Sequence, residues 1–479
     1  MDMISVLPTY LPELTLAIGS IGVLVGGAFA GRHALSLVSG IGVLVLVSAA
    51  VLQGVAPHAV AFQGAFVSDA AASFAKVAIY LASAVAIFLG ERWLSRSGDA
   101  RFEYPVLILL AALGMGVMVS AGDLIALYMG IELQSLALYV LCAFRRDDAK
   151  ASEAGLKYFV LGALSSGLLL YGASLIYGFA GSTRFVDIAL AAQMGAGHAG
   201  VIFGLIFLVC GIAFKVSAAP FHMWTPDVYE GAPTPVTAFL AAAPKLAAMV
   251  LFARLLTTSF PNSIGDWRQI IAVISVISVT VGALGGLVQS NLKRLLAYSS
   301  IANIGYALLG LAAGSQDGIK GMLIFLALYV VDITGFFACL LALSRQGKPM
   351  ETLSSLAGLT RTRPGLAFAI TIFSMSALGI PFLSGFWGKF FVFQAAVTTP
   401  SLVWPAVYGL VMSVVGAFYY LRVVKTMWFD DSAGETDAPP ADARLIAFGA
   451  AAFAFPLVNV GLHWLELFAG TAAKAFGLA

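Results

Sequence analysis

The chain has 479 residues, 60% of them hydrophobic and only 10% charged, with a formal net charge of +2. A soluble domain carries about 25% charged residues, so this composition excludes one, and the near balance of charge gives no nucleic-acid signal. The apolar runs are about 20 residues long and lack alternation over about ten residues, which predicts membrane-spanning helices and not a barrel.

The opening MDMISVLPTYLPELTL has acids where a signal peptide carries bases, so it reads as retained and as the approach to the first span. Apolar runs between polar breaks place about fourteen helices, near 10–30, 35–55, 71–93, 104–120, 122–144, 153–179, 198–219, 233–258, 265–290, 293–313, 318–343, 365–397 (interrupted), 402–427 and 443–470. Connections after odd-numbered spans hold sixteen basic residues, Arg32, Arg92, Arg145 and Arg361 among them, against five on the other side. That bias puts the odd connections in the cytoplasm and both termini outside. The alanine- and glycine-rich text without a transit peptide reads as a bacterial inner membrane, which makes the outside its periplasm. Five lysines remain inside spans: Lys76, Lys157, Lys215, Lys245 and Lys389.

The helix-breaking signals recur at a fixed distance. The seventh span breaks at Pro220 and the twelfth at Gly379-Ile380-Pro381, 161 residues apart, and the same offset carries Tyr104 to Gly265, the starts of the fourth and ninth spans. Two five-helix repeats are predicted, the second upside down because five is odd. Broken helices at matched positions in inverted repeats point to an ion site near the midplane. The organisation expected is a three-helix segment 1–103, a first repeat 104–258, a second inverted repeat 259–430, and a loop with a C-terminal helix 431–479.

A lysine at mid-membrane costs about 2.5–3.5 kcal/mol on insertion scales, so it must face protein or trapped water. Lys215 lies five residues before Pro220, whose ring opens the helix. Lys245 lies near the middle of the eighth span just after Pro244, which implies another local disturbance, and Lys389 follows the second break. Desolvated amines exchange protons near neutrality, which suits them to proton transfer; the plain alternative is snorkelling to an interface. Lys76 and Lys157 stand near the starts of their spans, and for them the interface reading is preferred. Glu132, about ten residues into the fifth span, needs a cationic partner or a proton, and a functional pair with Lys215 is expected. Asp332 stands in the eleventh span and can pair with a neighbour. His222 follows the Pro220 break, and Tyr298, Ser299, Ser300, Tyr306 and Tyr329 are candidates to line a wet path. His33, His58, His198 and His463 show no ligand spacing. Cys142, Cys210 and Cys339 sit apart in apolar runs and read as packing. No cofactor or metal site is expected in the chain. Amines and carboxylates crossing from helix to helix describe a proton conduit whose energy comes from elsewhere.

The blocks GIELQSLALYVL, FHMWTPDVYEGAPTPVTAFLAAAPK and KRLLAYSSIANIGYALLG closely resemble the antiporter-like membrane subunits of proton-pumping NADH:quinone oxidoreductase, respiratory complex I, a family shared with Mrp-type sodium/proton antiporters. The resemblance covers nearly the whole chain. It implies fourteen helices with inverted five-helix repeats and broken seventh and twelfth helices. Glu132 then resembles the family's fifth-helix glutamate, Lys215 its partner, Lys245 the central eighth-helix lysine and Lys389 the twelfth-helix lysine near the exit. A lysine at position 389 sets the chain apart from the branch of this family that has glutamate there, and the wording VYEGAPTPVTAFL narrows the resemblance to one of the remaining branches. FMN, iron–sulfur clusters and quinone would then reside in partner subunits, with subunit M and small subunits such as K and J as neighbours. The implied mechanism separates or closes Glu132 and Lys215, and a proton passes through Lys245 to Lys389. Moving one charge against 100 mV requires about 2.3 kcal/mol, and a change of two pKa units supplies about 2.7 kcal/mol. An Mrp-type antiporter subunit, a passive scaffold subunit and a solute carrier remain as alternatives.

Overall fold

Polar residues between the apolar runs set where helices begin. In the computed structural model, which describes residues 6–31, 34–194 and 198–478, Asp69, Asp123, Asp148, Asn291 and Ser315 each accept a backbone N–H of the first turn that follows them. Gly98 and Gly181, at φ 81° and 72°, end two of the long helices in the left-handed conformation that glycine adopts without strain. Arg32, His33 and the side chain of His198 lie outside the described residues.

The helices in chain order are α1 (Leu7–Phe29), α2 (Ala34–Val55), α3 (Ala70–Ser97), α4 (Glu103–Val119), α5 (Leu124–Cys142), α6 (Ala149–Ala180), α7 (Phe185–Gln193), α8 (His198–Val216), α9 (Trp224–Gly231), α10 (Thr234–Ala241), α11 (Ala243–Ser259), α12 (Ile264–Leu287), α13 (Leu292–Ala312), α14 (Gln316–Leu341), α15 (Leu359–Thr362), α16 (Pro364–Leu378), α17 (Ser384–Val397), α18 (Val403–Phe429), α19 (Ala441–Ala452) and α20 (Val458–Lys474). Among the described residues, twelve helical segments are long and apolar enough to cross a membrane, and α4 and α16 are shorter apolar helices. The protein is an all-α integral membrane protein with the expected complement of spans. Two small antiparallel hairpins complete it: β1 (Ala59–Ala61) with β2 (Phe66–Ser68), Ala59 opposite Ser68, and β3 (Ser344–Arg345) with β4 (Lys348–Pro349), Ser344 opposite Pro349.

The seventh span breaks between α8 and α9, where Ser217 takes φ 66°, and the twelfth between α16 and α17, where Gly379 takes φ 100°. Two further breaks differ from the sequence reading. The eighth span divides at Ala242 (φ −107°, ψ −91°), because Pro244 has no N–H and its ring collides with the carbonyl four residues back. The last span divides at Phe455 (φ −163°, ψ 125°), the residue that Pro456 drives into extended backbone.

By its contacts the chain forms two compact units. The first comprises Met1–Val216, Ala243–Gln269 and Phe468–Ala479, and the second Ser217–Ala242 and Ile270–Leu467. In the first, α11 is buried along nearly its whole length and packs against α3, α4, α7 and α8. Close pairing of α6 with α8 rests on Gly172 and Gly204, where a side chain on either would meet the other's backbone carbonyl. In the second unit α13 and α14 form the centre, with α14 against α10, α16, α17 and α19.

Candidate functional site

Each unit has its own buried polar cluster. In the first, Glu132, Ser135 and Tyr139 are spaced three and seven residues along α5, so they share a face. Glu132 is half-buried and accepts a hydrogen bond from Ser166 of α6. Lys215, in the last turn of α8 and 5% exposed, donates to Ser135 Oγ at 2.8 Å and to Tyr139 OH at 3.4 Å. Its ammonium also lies 5.8 Å from the Tyr139 ring centre. Among the described residues Glu132 and Lys215 make no direct ion pair. A serine hydroxyl stands one turn along from the carboxylate and takes the ammonium instead. Lys245 is the third residue of α11 and 1% exposed.

The Pro220 break belongs to the second unit. Pro220 is exposed and joined to Ala219 by a cis peptide, and the Ala219 N–H donates to Ser278 Oγ at 2.9 Å. His222 is half-buried, its carbonyl accepting Thr225 N–H at 2.9 Å, with no hydrogen bond to its buried Nδ1 among the described residues.

The second unit's cluster fills the gap in the twelfth span. Lys389 of α17, 8% exposed, donates to the carbonyls of Ala377 and Leu378 at 2.8 and 3.1 Å and to Ser413 Oγ at 2.8 Å. Those carbonyls end α16, so the ammonium sits at the negative end of a half-helix. Asp332 of α14 accepts from Ser376 Oγ at 2.6 Å and from Ser384 Oγ at 2.7 Å, and Ser384 opens α17. The Gly385 N–H, one of the amides the start of α17 leaves over, donates to Ser376 Oγ at 2.7 Å. The carboxyl therefore sits at the positive end of the other half-helix. Asp332 and Lys389 line one cavity of about 30 Å³ together with Ser299, Asn303, Tyr329 and Tyr420. A smaller cavity of about 10 Å³ brings Tyr306 and Ser413 beside Lys389, whose ammonium lies 4.8 Å from the Tyr306 ring centre.

Of the wet-path candidates, Ser299 meets Tyr420 OH at 2.5 Å and Tyr329 donates to Ser300 at 2.7 Å. Tyr298 packs its ring over Gly285 of α12 and is not part of either cavity wall. Pro381 is exposed in the gap itself. The sequence reading missed the hydroxyls that hold these charges, Ser135, Ser166, Ser376, Ser384 and Ser413. The one available signal was helical spacing of Ser135 and Tyr139 from Glu132.

One expectation is corrected. Lys76 does not reach an interface: it is 0% exposed and paired with Glu13 of α1 at 2.6 Å, while Tyr80 OH donates to the same carboxylate at 3.0 Å. The opposite charge that α1 supplies offsets the cost of burying this lysine. Lys157 does lie at the surface, with Glu153 one turn before it at 2.7 Å.

Residues 121–416 match the family model described as NADH:quinone oxidoreductase/Mrp antiporter, TM. The chain is 66% identical over 394 residues to a protein of Caulobacter sp. (strain K31) named NADH-quinone oxidoreductase subunit N, covering 81% of this chain and 82% of that one. A protein of the same name from Maricaulis maris (strain MCS10) is 54% identical over 435 residues, with 90% of each chain covered. Among solved structures, a chain of respiratory complex I from Thermus thermophilus with bound aureothin aligns at 31% identity and a TM-score of 0.81, covering 96% of this chain and 99% of that one.

Proposed function

The chain belongs to the NADH:quinone oxidoreductase/Mrp antiporter membrane family, and from that premise we propose that it is the subunit N-type, proton-translocating membrane subunit of an NADH:quinone oxidoreductase. It moves protons from cytoplasm to periplasm while quinone is reduced elsewhere in the complex. The relatives at 66% and 54% identity carry the oxidoreductase name, which supports this reading over an Mrp-type antiporter subunit. The redox groups (FMN, iron–sulfur clusters and quinone) belong to other subunits, and antiporter-like subunit M with the small subunits K and J are its neighbours. The host is a bacterial inner membrane, with both termini periplasmic.

The observation that carries the site assignment is the burial of Lys215, Lys245 and Lys389 inside apolar helices. Snorkelling fails for all three. Each remains desolvated, at a cost of several kcal/mol per ion, and Lys215 and Lys389 lean on hydroxyls and carbonyls, not on a carboxylate that would neutralise them. Such groups exchange protons with little change in their surroundings. Glu132 senses Lys215 across Ser135; Lys245 relays, and Lys389 passes the proton on beside a cavity large enough for water.

Replacing Lys245 with methionine in the assembled complex tests the reading. NADH-driven proton uptake by inside-out vesicles is expected to fall about tenfold or more, the usual worth of a positioned acid–base group being about 10²–10⁴. Uptake at the wild-type rate would make the chain a scaffold.

A further inference from the structure

The hydroxyls around Asp332 permit a proton count. Ser376 Oγ lies 2.6 Å from Asp332 Oδ2, Ser384 Oγ lies 2.7 Å from Asp332 Oδ1 and 2.8 Å from Oδ2, and the two serine oxygens lie 2.8 Å apart. One hydrogen shared between the two carboxyl oxygens serves both Ser384 contacts; the Ser376–carboxyl, Ser384–carboxyl and serine–serine contacts then close a ring, and every edge of a hydrogen-bonded ring needs one proton. Two serines supply two. An ionised Asp332 would leave one pair of oxygens in contact with nothing between them, whereas a protonated carboxyl supplies the third hydrogen and closes the ring.

The same count on Lys389 gives the opposite result. Its Nζ has three acceptors, Ala377 O, Leu378 O and Ser413 Oγ, which match the three N–H bonds of an ammonium. We propose that Asp332 is the proton-loading partner of Lys389, and that the two form a proton store across the gap in the twelfth span, held here with the acid protonated and the amine charged. This rests on the reading of Lys389 as a proton carrier.

Releasing one proton leaves a stable state. The carboxylate that remains sits at the N-terminus of α17 and faces Lys389 across their shared cavity, so a helix end and an opposite charge both favour it. The cavity of about 30 Å³ has room for roughly two waters, at about 10–15 Å³ each. When Lys389 has given up its proton, the Asp332 O–H bond breaks and its proton passes to a cavity water. A proton of that water chain then forms the third N–H bond of the amine. Acid plus amine becomes carboxylate plus ammonium, with no proton lost, and the next arrival reprotonates the carboxylate. Tyr329, Tyr420, Ser299 and Asn303 border the transfer.

The experiment compares Asp332→Asn, Asp332→Glu and Lys389→Met in the assembled complex reconstituted in liposomes. It measures NADH-driven proton transport and the infrared carbonyl stretch of protonated carboxylic acids. Asp332→Asn is expected to remove one deuterium-sensitive acid band and to lower transport about tenfold or more, and Asp332→Glu to restore both. Wild-type transport in Asp332→Asn beside impaired Lys389→Met overturns the store and leaves the parent reading intact, as does the absence of any band that the asparagine removes. Wild-type transport in Lys389→Met sinks the parent reading itself. Should Asp332→Asn fail to assemble, Ser384→Ala breaks the ring while keeping the acid; the band must then shift, and an unmoved band refutes the proposal.

Discussion

The two units solve the same problem, a lysine in oil, with different partners. In the first, Lys215 rests on side-chain hydroxyls of α5, and Ser135 keeps a bond of its own to the Ile131 carbonyl at 2.6 Å. In the second, Lys389 rests on main-chain carbonyls that a broken helix left over. Hydroxyls rotate and can donate or accept, so Lys215 can lose its partners without leaving them unsatisfied. The carbonyls ending α16 cannot turn away. One site is therefore a loose contact and the other is part of how the fold closes its own gap.

Within the first unit a third lysine marks the extreme. Lys76 and Glu13 are a fully formed buried pair, and removing one partner from such a pair costs about 3–5 kcal/mol, whereas replacing both with apolar residues is often near neutral. Lys76→Met should give the largest loss of thermal stability of any lysine replacement here. The Glu13→Leu/Lys76→Met double variant should recover most of it in the same melting experiment. A single variant that melts like the wild type would show that ion pairing is not what separates the structural lysine from the mobile ones.

The next effect bears on the comparison directly. Lys389→Met strands two carbonyls and should destabilise the protein by about 1–3 kcal/mol. For Lys215→Met, Ser135 remains bonded and a desolvated charge is removed, so the cost should be about 1 kcal/mol or less. Both variants should nonetheless abolish most proton transport. Denaturation of the purified complex beside transport separates the two quantities. Equal stability losses would mean that the helix end does not hold Lys389 in the way its geometry suggests.

The spans, the two expected breaks and the buried lysines were legible because each depends on residues near one another in the chain: apolar run length, Pro220, and Gly379 with Pro381. Missing from that view was everything depending on which helices meet. Lys76 looked like an interface lysine because Glu13 is sixty-three residues away in the chain. Ser376 and Ser384 looked like ordinary hydroxyls until the gap folded them onto Asp332. The break at Ala242 was half-legible: Pro244 announced a disturbance, but a proline inside an apolar run is equally compatible with a kinked, uninterrupted span. The Glu132–Lys215 pair was anticipated by function, not as a contact, because the two stand on different helices; helical spacing placed Ser135 where it could come between them.

The smallest effect expected is at the surface, where the arrangement at Lys389 appears with the charges exchanged. Gln346 and Gly347, at φ 52° and 73°, point successive N–H groups at the Asp437 carboxylate, at 3.1 and 2.9 Å. Two main-chain donors hold an anion as two main-chain carbonyls hold Lys389. The Gly347 amide first, then the Ser344 hydroxyl and the Gln346 amide, keep this carboxyl below the usual carboxylate range. A depressed carboxyl contributes stability above its unfolded value of about 3.9 and loses it as pH falls through the lower folded value. Protection of the Gln346 and Gly347 amides against hydrogen exchange, taken relative to their intrinsic rates, should therefore hold down to about pH 4 and fall only beneath it. In Asp437→Asn the same amides should exchange faster at neutral pH, and the acid step should disappear. If the step persists in the variant, the hairpin is tied by its strand pairing alone, and a main-chain anchor for an ion matters only where water is excluded, as at Lys389.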